Sequence, residues 1–440
     1  MNRLKSLILV GLLCLTAQAS GQEVMDKAAA LKQLMANNFN VIISEKSIEI
    51  AKNNTSIYNS GYLPTLTGNA GITYNIDDLN VQFRDGNNSE LKGARSDSRN
   101  AGLNLNYVIF NGFNRKYDMS RNMENLNRSQ LNARSVLETA LIDLFNAYYT
   151  VARSQQNLEN LEQTLKISKE RLTRAEYGFE YGRNSRLDVS NAQVDVNTDS
   201  INYLNALQVL ENSKRSLNFQ LGRREGDTNF TVETGLSFAE LDDRDELREK
   251  LKSNNVLLLI AKSDLAISQY DSRVARSGYL PTLSASTALN YRLGNNNNAS
   301  FLISNTSTGV TGNVTLGWNL FDGGGTRTAV QNAKVSEEVN TYTLEQLSLQ
   351  LEVDFDNAWA DYANKRFIVQ AQESNLTTNE QNFERTQEQY KLGQVSSIDF
   401  RTAQRNLLLA QVNLINAQYD AKLAELLIFR LSGLIQDADF

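Results

Sequence analysis

Ser60-Gly61-Tyr62-Leu63-Pro64-Thr65-Leu66 is written a second time as Ser277-Gly278-Tyr279-Leu280-Pro281-Thr282-Leu283. These phrases hold the only two prolines among 440 residues, at a spacing of 217. Farther on, Phe110-Asn111-Gly112 returns as Phe321-Asp322-Gly323, now at a spacing of 211. That spacing then holds for Ala147 and Ala358, Gly182 and Gly393, Asp188 and Asp399, and Gly222 and Gly433. A duplication of this length means one structural unit used twice. The change in spacing is expected in a surface loop between the proline phrase and Phe110, where length varies freely. Proline this scarce also implies long, uninterrupted elements, because it breaks both helices and central strands.

Composition removes several classes of function. The chain has no histidine and a single cysteine, Cys14, so imidazole chemistry is excluded and thiol chemistry nearly so. Net charge is −6, and no Lys/Arg run marks a nucleic-acid stripe. No phosphate-binding loop and no paired carboxylates in a pocket-like motif are present, so no catalytic residue, metal ligand or cofactor is assigned. Arg3 and Lys5, the apolar run Leu7–Leu15 and Ala17-Gln18-Ala19 read as a secretory signal over residues 1–19, with cleavage at 21 as an option.

Four stretches alternate at period two. Leu66, Ala70, Ile72, Tyr74 and Ile76 share one face, against Thr67, Asn69, Thr73 and Asn75. The same pattern runs through Leu103–Ile109, Leu283–Leu293 and Val310–Leu320. Each is about the 9–11 residues of a tilted membrane strand. A soluble sandwich with one wet face would alternate too, but its wet face normally carries Lys and Glu. Here it is Asn, Thr, Ser and Gly, which suits a water-filled lumen. Residues 77–98 and 294–307 are polar and are expected to be loops at one mouth of a barrel. Trp318 and Tyr291 are placed either in an interfacial aromatic belt or in ordinary strand packing.

The remainder reads as helix. No Gly or Pro interrupts 113–177 or 326–392, so each long helix would reach roughly 100 Å. Shorter helices are expected over 23–59, 185–221, 236–277 and 394–432, two stacked end to end matching one long one. Residues 229–232 are a candidate small strand. The expected organisation is a signal (1–19), a first repeat (20–222, hairpin about 64–110), a connector (223–239), a second repeat (240–433, hairpin about 281–321) and a tail (434–440).

Four strands cannot close, and open strand edges are not tolerated in hydrocarbon. Three chains supplying twelve strands is the smallest comfortable wet-bored solution. In element order, in the Gly-Tyr-Leu-Pro phrases and in the Phe-x-Gly strand ends, the mature chain resembles the TolC family of outer-membrane channels. The resemblance implies an α+β membrane protein: a homotrimer with a 12-stranded barrel in the outer membrane of a Gram-negative bacterium and a helical barrel in the periplasm. It also implies a periplasmic adaptor, an inner-membrane pump or ABC transporter, and no enzymatic activity. Pro64 and Pro281 would mark entry to the barrel.

Both helix turns carry Gly-x-x-Ser-x-x-Asp: Gly182, Ser185, Asp188 and Gly393, Ser396, Asp399. Read physically, glycine stops a helix and a Ser/Asp capping box starts the next. The resemblance implies more: these tips are the periplasmic entrance and the adaptor-docking surface, with Asp399 in a ring of carboxylates. A second ring residue is absent, because Thr402 occupies its place. Tyr390 would tie down Asp188, but Val395 stands where the family's latch arginine is expected, leaving Arg183 or Arg186 as substitutes. The implied function is an exit duct for solutes. The alternative is a periplasmic coiled-coil scaffold or adaptor without a pore.

Overall fold

Asn38 and Asn255, one per repeat, decide how the helices join. The computed structural model describes residues 23–84, 86–223 and 228–436. The expected signal and most of the tail lie outside them. In chain order the elements are β1 (Glu23–Met25), α1 (Lys27–Asn37), α2 (Phe39–Asn54), β2 (Thr65–Gln82), β3 (Asn88–Asn111), α3 (Asn114–Glu180) and α4 (Arg186–Gln220). Then follow β4 (Phe230–Val232), α5 (Arg244–Asn254), α6 (Val256–Ser277), β5 (Thr282–Asn295), β6 (Ser304–Gly317), α7 (Gly325–Lys391) and α8 (Ser397–Leu431).

Residues 23–59 are therefore not one helix. Glu23–Met25 pairs in parallel with Phe230–Val232, and Asp26 caps α1 by accepting from Ala29 N at 2.6 Å. The next break is Asn38, which leaves helical backbone at φ −66°, ψ 123°. Its Oδ1 accepts from Asn40 N (2.9 Å) and Val41 N (3.3 Å), starting α2. Its Nδ2 donates to Gln220 O at the end of α4 (2.8 Å). Asn255 repeats this at the α5–α6 break, accepting from Leu257 N (3.0 Å) and Leu258 N (3.3 Å) and donating to Leu431 O at the end of α8 (2.9 Å). One side chain thus caps the N-terminus of one helix and the C-terminus of another, answering orphan groups at both.

The joint is tight. Gly222 and Gly433, just past the ends of α4 and α8, sit at φ 66° and 69°. A Cβ on Gly433 would stand 2.5 Å from Asn254 O, and one on Gly222 would collide with Asn37 O. Gly182 has a similar φ of 73° but open space around it. Gly433→Ala should cost about 2–3 kcal/mol through left-handed strain plus backbone displacement. Gly182→Ala should cost only the strain, about 1 kcal/mol. Thermal midpoints of the two variants check this; equal losses would remove the close-approach argument.

The Cα packing divides the chain into two units: residues to 45, 132–259 and from 347; and 46–131 with 260–346. In the first unit, Leu144, Phe145, Tyr148, Leu217, Phe230 and Leu426 are fully buried around the β1–β4 ribbon. Each such apolar side chain contributes about 1.5–3 kcal/mol. Tyr148 donates to Met25 O (2.8 Å) and accepts from Glu233 N (3.0 Å), tying both strands to α3. Burial pushes its phenol up to about 12.

The second unit holds a four-stranded antiparallel sheet in the order β2-β3-β5-β6. Pro64 and Pro281 immediately precede β2 and β5. The ladder runs past the expected loop at 77–98, through Asp77↔Ala94 and a bulge to Gln82↔Asn88. Backbone pairing does not require apolar side chains, so a solvated antiparallel hairpin continues where polarity suggested a loop. The extra length of the first repeat is in its strands, of 18 and 24 residues against 14 and 14. At the other end β6 stops at Gly317 and does not reach Leu320. Gly317 pairs with Thr282, so the next partner is Pro281, which has no N–H to give. Trp318, off the ladder, donates its indole N–H to Tyr279 O at 3.1 Å.

The sheet has two unlike faces. Asn69 and Asn104 are bonded across strands at 2.9 Å, and Asn290 and Asn100 project on the same side, against Gly102 and Gly71. On the other side Leu66, Ile72, Val310, Val314 and Leu316 are each about two-thirds or more exposed. Among the described residues no strand pairs with the outer edge of β2 or of β6. Among the described residues no helix is long and apolar enough to cross a membrane.

Candidate functional site at the helix tips

Each tip is built twice from the same local chemistry. Helix α3 ends with Gly182 N donating to Phe179 O (3.0 Å) and Arg183 N to Gly178 O (2.6 Å). Helix α7 ends alike, Gly393 N donating to Tyr390 O (3.1 Å) and Gln394 N to Gln389 O (2.8 Å). The left-handed glycine lets the chain reverse within a few residues. Ser185 and Ser396 then cap α4 and α8, accepting from Asp188 N and Asp399 N at 3.2 Å each. In return the Asp188 carboxylate accepts from Ser185 N (2.9 Å) and Oγ (2.7 Å), and that of Asp399 from Ser396 N (3.2 Å) and Oγ (2.7 Å). Caps of this kind stabilise by about 1 kcal/mol each. The bonds from Ser185 hold the Asp188 carboxyl below its ordinary value. A depressed carboxyl stabilises above its unfolded pKa, so the first tip is capped at neutral pH and loses that contribution as pH falls below about 4.

Asp188 and Tyr390 are not hydrogen-bonded. The carboxylate is held by its own cap, and the Tyr390 ring stacks on Phe400 at 4.7 Å. Arg174 lies over that ring at 5.5 Å and donates to Lys391 O at 2.6 Å. Thus α3 supplies the cation at the C-terminus of α7, where the helix dipole favours it. Asp399 and Thr402 are exposed; the Thr402 hydroxyl bonds back to Ile398 O (2.9 Å). Arg183 and Arg186 are exposed at the first tip, and Val395 is half-buried at the second.

What joins the two hairpins lies about one to four turns inside the tips. Arg401 of α8 forms a bidentate pair with Asp199 of α4, both bonds at 2.7 Å, and reaches Asp195 at 3.4 Å. Ser168 of α3 donates to Asp199 at 2.6 Å, and Gln404 of α8 donates to Thr164 O at 3.1 Å. Arg171 of α3 pairs with Asp195 and also reaches Ser397 O at 3.4 Å. Asp199 and Arg171 are 2% and 3% exposed, whereas Asp195 and Arg401 are only partly buried, so the charges balance two against two at the edge of the packed interior. Burial, and then the neighbouring Arg401, push the Arg171 guanidinium below its ordinary value. These residues were missed in sequence. The available signal was Asp195 and Asp199, one turn apart on a stretch otherwise of Val, Asn, Thr and Ser.

The model of the outer membrane efflux protein family matches residues 30–223 and 247–434. The chain belongs to that family. TolC of Vibrio cholerae, an outer membrane protein, is 25% identical over 86% of this chain and 84% of its own. BepC of Brucella suis, an outer membrane efflux protein, is 24% identical over 95% and 87%. The Campylobacter jejuni CmeC outer membrane channel has the same fold, at a TM-score of 0.77 and 17% identity over 93% of this chain and 86% of its own. The two matched segments coincide with the two repeats, so the duplication belongs to the family's fold. As a TolC-like outer membrane efflux protein the chain is a transport channel component, not an enzyme.

Proposed function

We propose that three copies of this chain form the outer-membrane exit duct of a tripartite efflux or type I secretion system. The duct conducts solutes passively from a periplasmic adaptor and an inner-membrane pump or ABC transporter to the exterior. The observation that carries this reading is the sheet: four strands, unpaired edges, one apolar face and one of Asn, Thr, Ser and Gly. Pairing β6 of one copy with β2 of the next closes twelve strands, turns the apolar face to lipid and leaves the amide face on water.

In this reading Asp399, Asp188, Tyr390 and Thr402 belong to the periplasmic constriction. Gly182, Ser185, Gly393 and Ser396 shape the turns that meet the adaptor, and Pro64 and Pro281 stand at the barrel entrance. At the second tip Asp399 is the exposed carboxylate that opens α8, so three copies place a ring of Asp399 carboxylates at the closed entrance. The purified chain should be an outer-membrane homotrimer that conducts in planar bilayers, prefers cations and is blocked by trivalent cations from the tip side. Asp399→Ala should raise the blocking concentration about tenfold or more, since three desolvating carboxylates are removed at once. A soluble periplasmic product without conductance would establish the scaffold reading instead.

A further inference from the structure

On the amide face of the sheet, one side chain does not belong with the rest. From Thr67 to Asn75, Ser96 to Asn106, Ser284 to Asn290 and Ser307 to Gly317, the residues on that face are Thr, Asn, Ser, Gly and Ala. Arg292 shares the face by the pleat, two residues beyond Asn290. It stands between Asn100 of β3 and Ser307 of β6, is exposed, and has no ion pair among the described residues. The charges nearest in sequence register do not answer it. Asp97 and Arg99 lie on the opposite face, where Asp97 accepts from Asn295 at 3.0 Å. The next carboxylate on the same face is Asp77, opposite Ala94 on β3, about 20 Å from Asn100 at ordinary strand rise.

We infer that Arg292 is an anion-attracting element of the bore wall, three copies forming a positive ring that favours solutes bearing carboxylate or phosphate. The inference rests on the duct reading above. An unpartnered guanidinium costs little in water and would be costly against lipid. Its placement among amides on an open face therefore serves a passing ligand rather than a fold contact. Guanidinium also suits carboxylate and phosphate better than ammonium does, because its planar fork binds both oxygens. Rings of Arg or Lys are the general device for anion selection in pores.

The test uses full-length trimers in planar bilayers under a KCl gradient. Arg292→Gln should lower the chloride-to-potassium permeability ratio roughly three- to fivefold at low salt, and Arg292→Glu further, both effects shrinking near 1 M salt as screening sets in. Pyrophosphate added at the barrel end should slow wild-type current and leave Arg292→Gln untouched. Conducting trimers whose selectivity and pyrophosphate response are indifferent to both substitutions would overturn the assignment while sparing the duct. Wild-type chain that never conducts would overturn both. Leu293→Gln, on the opposite face, is the control and should leave selectivity unchanged.

Discussion

Asp199→Ala should destabilise the helix-tip region by about 3–5 kcal/mol, the usual cost of removing one partner from a buried pair. Arg401 would lose both 2.7 Å bonds, and Ser168 its acceptor. Arg401 would then compete with Arg171 for Asp195. The double change Asp199→Leu with Arg401→Met should cost much less, because it leaves no stranded charge. Trypsin reports the effect locally: Arg183 and Arg186 flank the first tip, Lys391 the second, and all are exposed. Cleavage there should accelerate on the order of a hundredfold or more in Asp199→Ala, tracking the opening free energy. A rate like that of wild type would mean the ion pairs do not hold the hairpins together. The same variant should raise bilayer conductance, since the first hairpin is freed from α8.

Lys422→Met should produce the second large loss, also about 3–5 kcal/mol. Lys422 and Glu425 are both 0% exposed and 2.6 Å apart on one turn of α8. Glu425 further accepts from Ala239 N at 3.3 Å and from the Tyr362 hydroxyl at 3.4 Å. Without the lysine, a buried carboxylate would face burial-raised phenols, Tyr149 and Tyr362. Such a stranded charge is costly, because the lysine no longer offsets its lost hydration. The variant should therefore show a clearly lowered thermal midpoint at pH 7. A midpoint like that of wild type would contradict this account. Lys422→Met with Glu425→Gln should recover most of the loss at pH 7.

Both effects lie where sequence reading is weakest. Lys422 and Glu425 look like a routine i, i+3 surface pair, and nothing in Asp195-Val196-Asn197-Thr198-Asp199 says which helix faces it. The capping boxes at Ser185 and Ser396, by contrast, were legible, because a cap is satisfied within four residues of chain. The breaks at Asn38 and Asn255 were not. Each depends on an acceptor carbonyl that the fold brings from the end of another helix.

Strand alternation was likewise readable at Leu66–Ile76, where one residue in two must turn to each face. Strand length was not, since the ladder at Tyr74↔Asp97 and beyond is held by backbone bonds that side-chain polarity does not report. Sequence by itself determined the duplication, the long helices, the two-faced strands and the capped tips, all properties carried by local spacing. Only the tertiary structure decided which charges are buried together, which glycines are pressed against a neighbouring backbone, and that Tyr390 stacks on Phe400 rather than bonding Asp188. Burial and long-range pairing depend on the close approach of segments hundreds of residues apart, which no local period encodes.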